Sequence, residues 1–234
     1  MTMFSNMKLA TKLFGSFVIV LALMVGVGSY SISQLAAVND ATVDIATNWL
    51  PSVKTATSIK SLLNRVRTYE YRMIADTDPA ELASAKKEFD QKVDELKTTV
   101  HSYEKLITNS EDRQIHATMV ADLTTYLAMS EKVLALALNN KDQEALALIK
   151  GDARKDYEAL RADAEKLSEF NETGSAKASE LAERTYTSAR NWVIGVLSAC
   201  VLIALAMAFV ITRSLTRQLG GERSEEHTSE LQSH

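Results

Sequence analysis

The stretch LNRVRTYEYRM places three guanidinium groups, Arg65, Arg67 and Arg72, within eight residues, with Tyr69 and Glu70 among them. A guanidinium keeps its charge at any physiological pH and grips a carboxylate through two parallel N–H···O bonds. On a helix, Ile59, Leu62, Val66, Tyr69 and Met73 recur at steps of three and four, the a/d pattern of a packed seam. In that register Arg65 and Arg72 share one stripe bordering the seam, with Tyr69 beside them. A paired guanidinium stripe at a helix interface suits a carboxylate ligand. The plain alternative is a solvated flank in which Arg67 pairs with Glu70 and nothing binds.

Asn171, in EFNETGSA, is a second candidate, because a polar residue there can face the first helix of a bundle. His101 and His116 flank a turn and could lie within one helical turn of each other. Two imidazoles make a poor metal site, since zinc takes three or four ligands, so both are expected at the surface. The sequence has no phosphate-cradling glycine loop, no metal-ligand cluster and no nucleophile motif, so neither an enzyme nor a cofactor is expected.

The elements that must position these groups are helices. Two prolines and eight glycines in 234 residues are few, and aromatics make up 6%. Ala and Leu are the commonest residues, and Ala and unbranched side chains lose little freedom in a helix. Punctuation divides the middle of the chain. Residues 31–76 form one long candidate helix with a kink or break at Pro51. Asp78 caps a second helix that starts at Pro79 and runs to about Ile107. Ser110 caps a third, with Glu111 and Asp112 in its first turn, running to about Leu138. A short helical stretch, DQEALALIK, ends at Gly151, and a fourth helix starts at Asp152. Phe89, Val93, Leu96 and Val100 repeat the seam on the second helix, and Leu123, Leu127 and Leu134 on the third. Short connections predict an all-α fold, an antiparallel up-down four-helix bundle.

Two uncharged apolar runs flank this region, Leu13–Tyr30 and Asn191–Thr212. Each is close to the roughly 20 residues that span a bilayer core, which predicts two transmembrane helices continuous with the bundle. Lys8 and Lys12 before the first run, and Arg213 and Arg217 after the second, predict both ends in the cytoplasm and residues 31–190 outside. Tyr30 and Trp192 suit the outer interface. The net charge of −4 argues against a nucleic-acid partner. Cys200 is the single cysteine, so no intrachain disulfide can form.

The layout, with MKLATKLFGSFVIV at the start and ITRSLTRQLGGE after the second run, resembles the N-terminal half of a bacterial methyl-accepting chemotaxis protein. Gln218 stands where many HAMP linkers of that family carry proline. The resemblance implies a cytoplasmic N-terminus (1–12), a transmembrane helix (13–30) and a periplasmic four-helix-bundle sensor domain (31–190). A second transmembrane helix (191–212) and the start of a HAMP linker (213–222) follow. It implies a homodimer in the inner membrane that reads a small-molecule ligand or a periplasmic binding protein. A chemotaxis kinase and its coupling protein would be engaged through a cytoplasmic part. Receptors of the aspartate type bind their ligand with arginines on the first helix, the position of Arg65 and Arg72. The competing reading is the sensor part of a membrane-bound histidine kinase or cyclase; whatever the gene encodes after Glu222 discriminates the two.

The last twelve residues, RSEEHTSELQSH, do not suit a HAMP helix, because Leu231 is their single apolar residue and no seam can form. They read as one frame of a widely used sequencing-library adapter. Residues 223–234 are therefore expected to be an artefact, with no fixed structure after about Leu219. Long-read sequencing of the source locus checks this: an open frame running on from GGE without these codons supports it, and a stop codon directly after them defeats it.

Overall fold

A computed structural model describes the backbone of residues 9–231, all helical apart from short turns. The helices are α1 (Leu9–Asp44), α2 (Leu50–Ala75), α3 (Pro79–Tyr103), α4 (Ser110–Leu138), α5 (Asp142–Lys150) and α6 (Asp152–Leu231). Two helices among the described residues are long and apolar enough to cross a membrane; one contains each of the apolar runs.

The chain divides into two units. In Ala41–Leu181, α2, α3, α4 and the first part of α6 run alternately up and down as a four-helix bundle, with α5 set between α4 and α6. The core is built from one stripe of each helix: Ile59, Leu63 and Val66 on α2, Phe89 and Leu96 on α3, Met119 and Leu123 on α4, Leu160 and Leu167 on α6. A second, smaller apolar cluster of Ile74, Val133, Ala137, Ala145, Ile149 and Ala153 seats α5. In the other unit, formed by Met1–Asp40 and Ala182–His234, most of the described apolar side chains are exposed and the rest half-buried. Phe14, Phe17, Leu202 and Phe209 are each more than 60% exposed, as expected of helices whose solvent is hydrocarbon rather than water. Within this unit the rings of Tyr30 and Trp192 pack 4.2 Å apart.

Local chemistry sets the boundaries. Asp78 caps α3 by accepting from the Ala80 amide at 2.8 Å, with Pro79 in the first helical position where its missing N–H is harmless. α4 closes through Asn140, whose φ of 56° is a left-handed conformation that asparagine tolerates.

Four expectations are corrected. Pro51 does not break the helix. The chain widens into a π-turn at Ile45–Trp49, immediately before Pro51, where the Leu50 amide donates to the Ile45 carbonyl and the backbone stays helical into α2. The second helix stops at Tyr103, four residues early, and tightens into a 3₁₀ turn at Glu104–Leu106 before Ile107 becomes extended. Asn109, not Ser110, caps α4: it is extended and its side chain accepts from the Asp112 amide at 2.9 Å. Finally, α6 continues past Leu219 to Leu231, since adding residues to an existing helix avoids the cost of nucleation. Gln232 to His234 lie outside the described residues.

Candidate functional site

The buried stripe of α2 runs Ser52, Ala56, Ile59, Leu63, Val66, Glu70 and Met73, in alternating steps of four and three. The seam drawn from apolar residues alone had Leu62 and Tyr69 where the structure has Leu63 and Glu70. Leu62 and Tyr69 are partly buried flankers. The stripe thus carries a glutamate with no exposed surface into the core.

Glu70 is satisfied by three residues from two helices, α2 and α4. Arg67 donates to its Oε2 at 3.0 Å, Tyr126 of α4 donates to the same oxygen at 3.0 Å, and the Ser130 hydroxyl makes a short bond to Oε1. Arg67 also donates to the Ile149 carbonyl at 2.7 Å, tying α2 to the end of α5. The rings of Tyr71 and Tyr157 lie 5.1 and 4.9 Å from its guanidinium carbon, so the cation is sandwiched between aromatic faces. Burial raises the Glu70 pKa above the usual carboxylate range, against the pull of Ser130, Arg67 and Tyr126. Burial alone would lower the Arg67 pKa, but the charge and hydrogen bond of Glu70 carry it upward. This layer couples α2, α4, α5 and α6.

A second polar layer lies toward the turn between α3 and α4. Tyr103 donates to Asp112 at 2.8 Å and accepts from Asn171 of α6 at 2.6 Å; Asn171 also donates to the Leu167 carbonyl. His116 donates from Nε2 to the Val100 carbonyl at 2.9 Å and stacks on Tyr103. Burial raises the pKa of Asp112 and of Tyr103. Two buried polar layers thus bracket the apolar middle of the bundle.

The residues singled out from sequence fall in different surroundings. Arg72 is held by Asp76 at 3.1 Å and Glu81 at 2.6 Å. Tyr69 donates to Glu88 at 3.4 Å. Asn171 is 1% exposed and committed to Tyr103. His101 is exposed, whereas His116 is buried, contrary to expectation, because α4 inserts its whole stripe from Asp112 to Ala137. Arg67 and Glu70 do pair, but in the core rather than on a solvated flank.

Arg65 stands apart. It is exposed, makes no ion pair among the described residues, and lines an open groove of about 690 Å³ between α2 and α3. Ser58, Ser61, Thr98 and Thr99 supply hydroxyls to the groove, and Leu62 forms its apolar floor. Lys92, on the α3 side, is already paired with Glu95 at 2.8 Å. Arg65 and the hydroxyls are chemically suited to a small oxyanion, and the carboxylates of Asp94 and Glu95 line the same groove, with Glu95 held by Lys92. Among the described residues no group of three or more His, Cys, Asp or Glu side chains is placed to hold a metal.

Comparison with known proteins agrees with this architecture. Residues 6–186 match the family model described as a four helix bundle sensory module for signal transduction. A protein of Bacillus subtilis (strain 168) named "Putative sensory transducer protein YvaQ" is 19% identical over 193 residues, covering 82% of this chain. The chain spans about a third (34%) of that relative's length.

Proposed function

Because the chain belongs to the family of four-helix-bundle sensory modules for signal transduction, we propose that it is the sensing part of a transmembrane chemoreceptor. Residues 31–190 are the sensor domain, held outside the inner membrane by spans at 13–30 and 191–212, with the start of a HAMP linker at 213–222. The protein works as a homodimer. On α2, exposed Leu50 and Tyr71 stand at whole multiples of seven residues from each other, a spacing that suits a second copy. Signal passes from the bundle along α6, and a cytoplasmic part beyond the linker engages a chemotaxis kinase and its coupling protein.

The sensing chemistry rests on one observation: Arg65 makes no ion pair among the described residues and lies in an open groove lined by four hydroxyls and by Asp94 and Glu95. That arrangement favours direct binding of a small carboxylate. Arg72 and Tyr69, which the heptad register sets beside Arg65, and Asn171, the separate second candidate, are engaged elsewhere: with Asp76 and Glu81, with Glu88, and with Tyr103. Calorimetry on the full chain in nanodiscs, with a panel of mono-, di- and tricarboxylates at fixed ionic strength, tests this. At least one should bind, and Arg65→Ala should weaken it tenfold or more. Equal binding by the variant, or no binding by any carboxylate, rejects the assignment.

A further inference from the structure

Gly174 lies in the interior of α6, where glycine is the least favourable residue short of proline. The space above it is taken. A Cβ built there would stand 2.0 Å from Cζ3 and 2.2 Å from Cη2 of Trp49, so no other residue fits under that indole. Phe170, one turn earlier on α6, flanks the ring with centroids 6.3 Å apart. From the other side, Trp49 Nε1 donates to Asp44 Oδ2 at 2.9 Å. That five-residue step matches the i to i+5 bonding of the π-turn at Ile45–Trp49, the irregularity that swings Trp49 toward α6. Such widened turns recur at functional positions in helices.

The ring is half-buried rather than enclosed. Beside it opens a cleft of about 850 Å³, with Ile115, Lys166, Thr173 and Lys177 on its walls. Trp49, Phe170 and Gly174 themselves border this cleft, so open space adjoins the ring where it rests in the Gly174 notch. With the ring in the notch, a one-turn shift of α6 would bring Phe170 or Ala178, each carrying a Cβ, to the place of Gly174.

We propose that Trp49 is a latch: seated on Gly174 it fixes the axial register of α6 against the start of α2, and movement of α6 unseats it into the adjoining cleft. This rests on the reading that the module signals by helix movement, and it adds the residue pair that sets the resting state.

The test uses the full chain in nanodiscs with Trp192→Phe, so that Trp49 is the sole indole. Its emission should resolve into a dominant component shielded from acrylamide and a minor quenchable one of about 1–10%, the share of a minor state a few kT above the ground state. Gly174→Ala should convert most of the emission to the quenchable, red-shifted form with unchanged far-ultraviolet circular dichroism. Phe170→Leu, which adds no atom to the notch, should raise the minor component several-fold. A single shielded component in both the Trp192→Phe background and the Phe170→Leu variant would show fixed packing and overturn the latch. So would a Gly174→Ala variant whose indole stays shielded. Carboxylate binding without these signals removes the latch alone; the signals without carboxylate binding remove the Arg65 assignment alone.

Discussion

The Arg67 guanidinium donates to the Glu70 carboxylate at 3.0 Å, in a layer where the glutamate has no exposed surface at all. A charge pair in that setting adds little net stability over apolar residues of similar volume, but it is costly to break, because the survivor is left charged and unpaired.

Arg67→Ala should therefore destabilise the bundle by about 3–5 kcal/mol, the usual range for a buried pair that loses one partner. Combining Arg67→Met with Glu70→Leu should recover part of that loss, despite leaving Tyr126 and Ser130 without an acceptor. Thermal unfolding followed by circular dichroism measures both. A single variant that melts no lower than a surface substitution would mean the pair is not buried.

The Tyr103 hydroxyl joins α4 to α6, bonding both Asp112 and Asn171. Tyr103→Phe should cost about 1–3 kcal/mol, since it strands a carboxylate oxygen of Asp112 and an amide proton of Asn171 in the core. Asn171→Ala should cost a similar amount, and the double variant less than the sum, because both remove the same bond. Strict additivity in denaturant titrations would count against a shared bond.

Asn109→Ala should destabilise by about 1 kcal/mol through loss of the helix cap, whereas Ser110→Ala should change stability by only a few tenths. The reverse order of the two melting temperatures would restore Ser110 as the cap.

Asp163 is buried on α6, where burial, then hydrogen bonding to Asp122 and its charge, raise its pKa above the ordinary carboxylate range. A raised folded-state pKa means the native state binds the proton more tightly than the unfolded chain does. The resulting stabilisation is complete below the unfolded pKa and is lost as pH rises through the folded one. Lys166, 3.6 Å away, opposes the shift without reversing it. The melting temperature of the wild type relative to Asp163→Asn should thus climb as pH is lowered from neutrality. A difference that is flat with pH, or that falls on acidification, contradicts this.

Much of the architecture was legible before any coordinates. Scarcity of proline and glycine, the turns at DTDP, TNSED and NNKD, and two uncharged runs near 20 residues are local facts. They set helix number, order and the candidate membrane spans, because capping, backbone restriction and span length act over a few residues of chain. Phe89, Val93, Leu96 and Val100 were placed correctly in the core for the same reason. The polar interior was not legible. A seam drawn through apolar residues passes over Glu70, Tyr126, Ser130, Asp112, His116 and Asn171, since each is charged or polar until a partner from another helix satisfies it. Extending the three–four alternation through polar residues, as in 52, 56, 59, 63, 66, 70, 73, would have exposed Glu70. The arginines divide on the same principle. The heptad register set Arg65 and Arg72 together on one stripe and offered Glu70 as the partner of Arg67. Packing decided that Arg67 is buried against Glu70 and that Arg72 is neutralised by Asp76 and Glu81, while Arg65 faces an open groove. A side chain's partners lie on other helices, and only the tertiary fold brings those helices beside it.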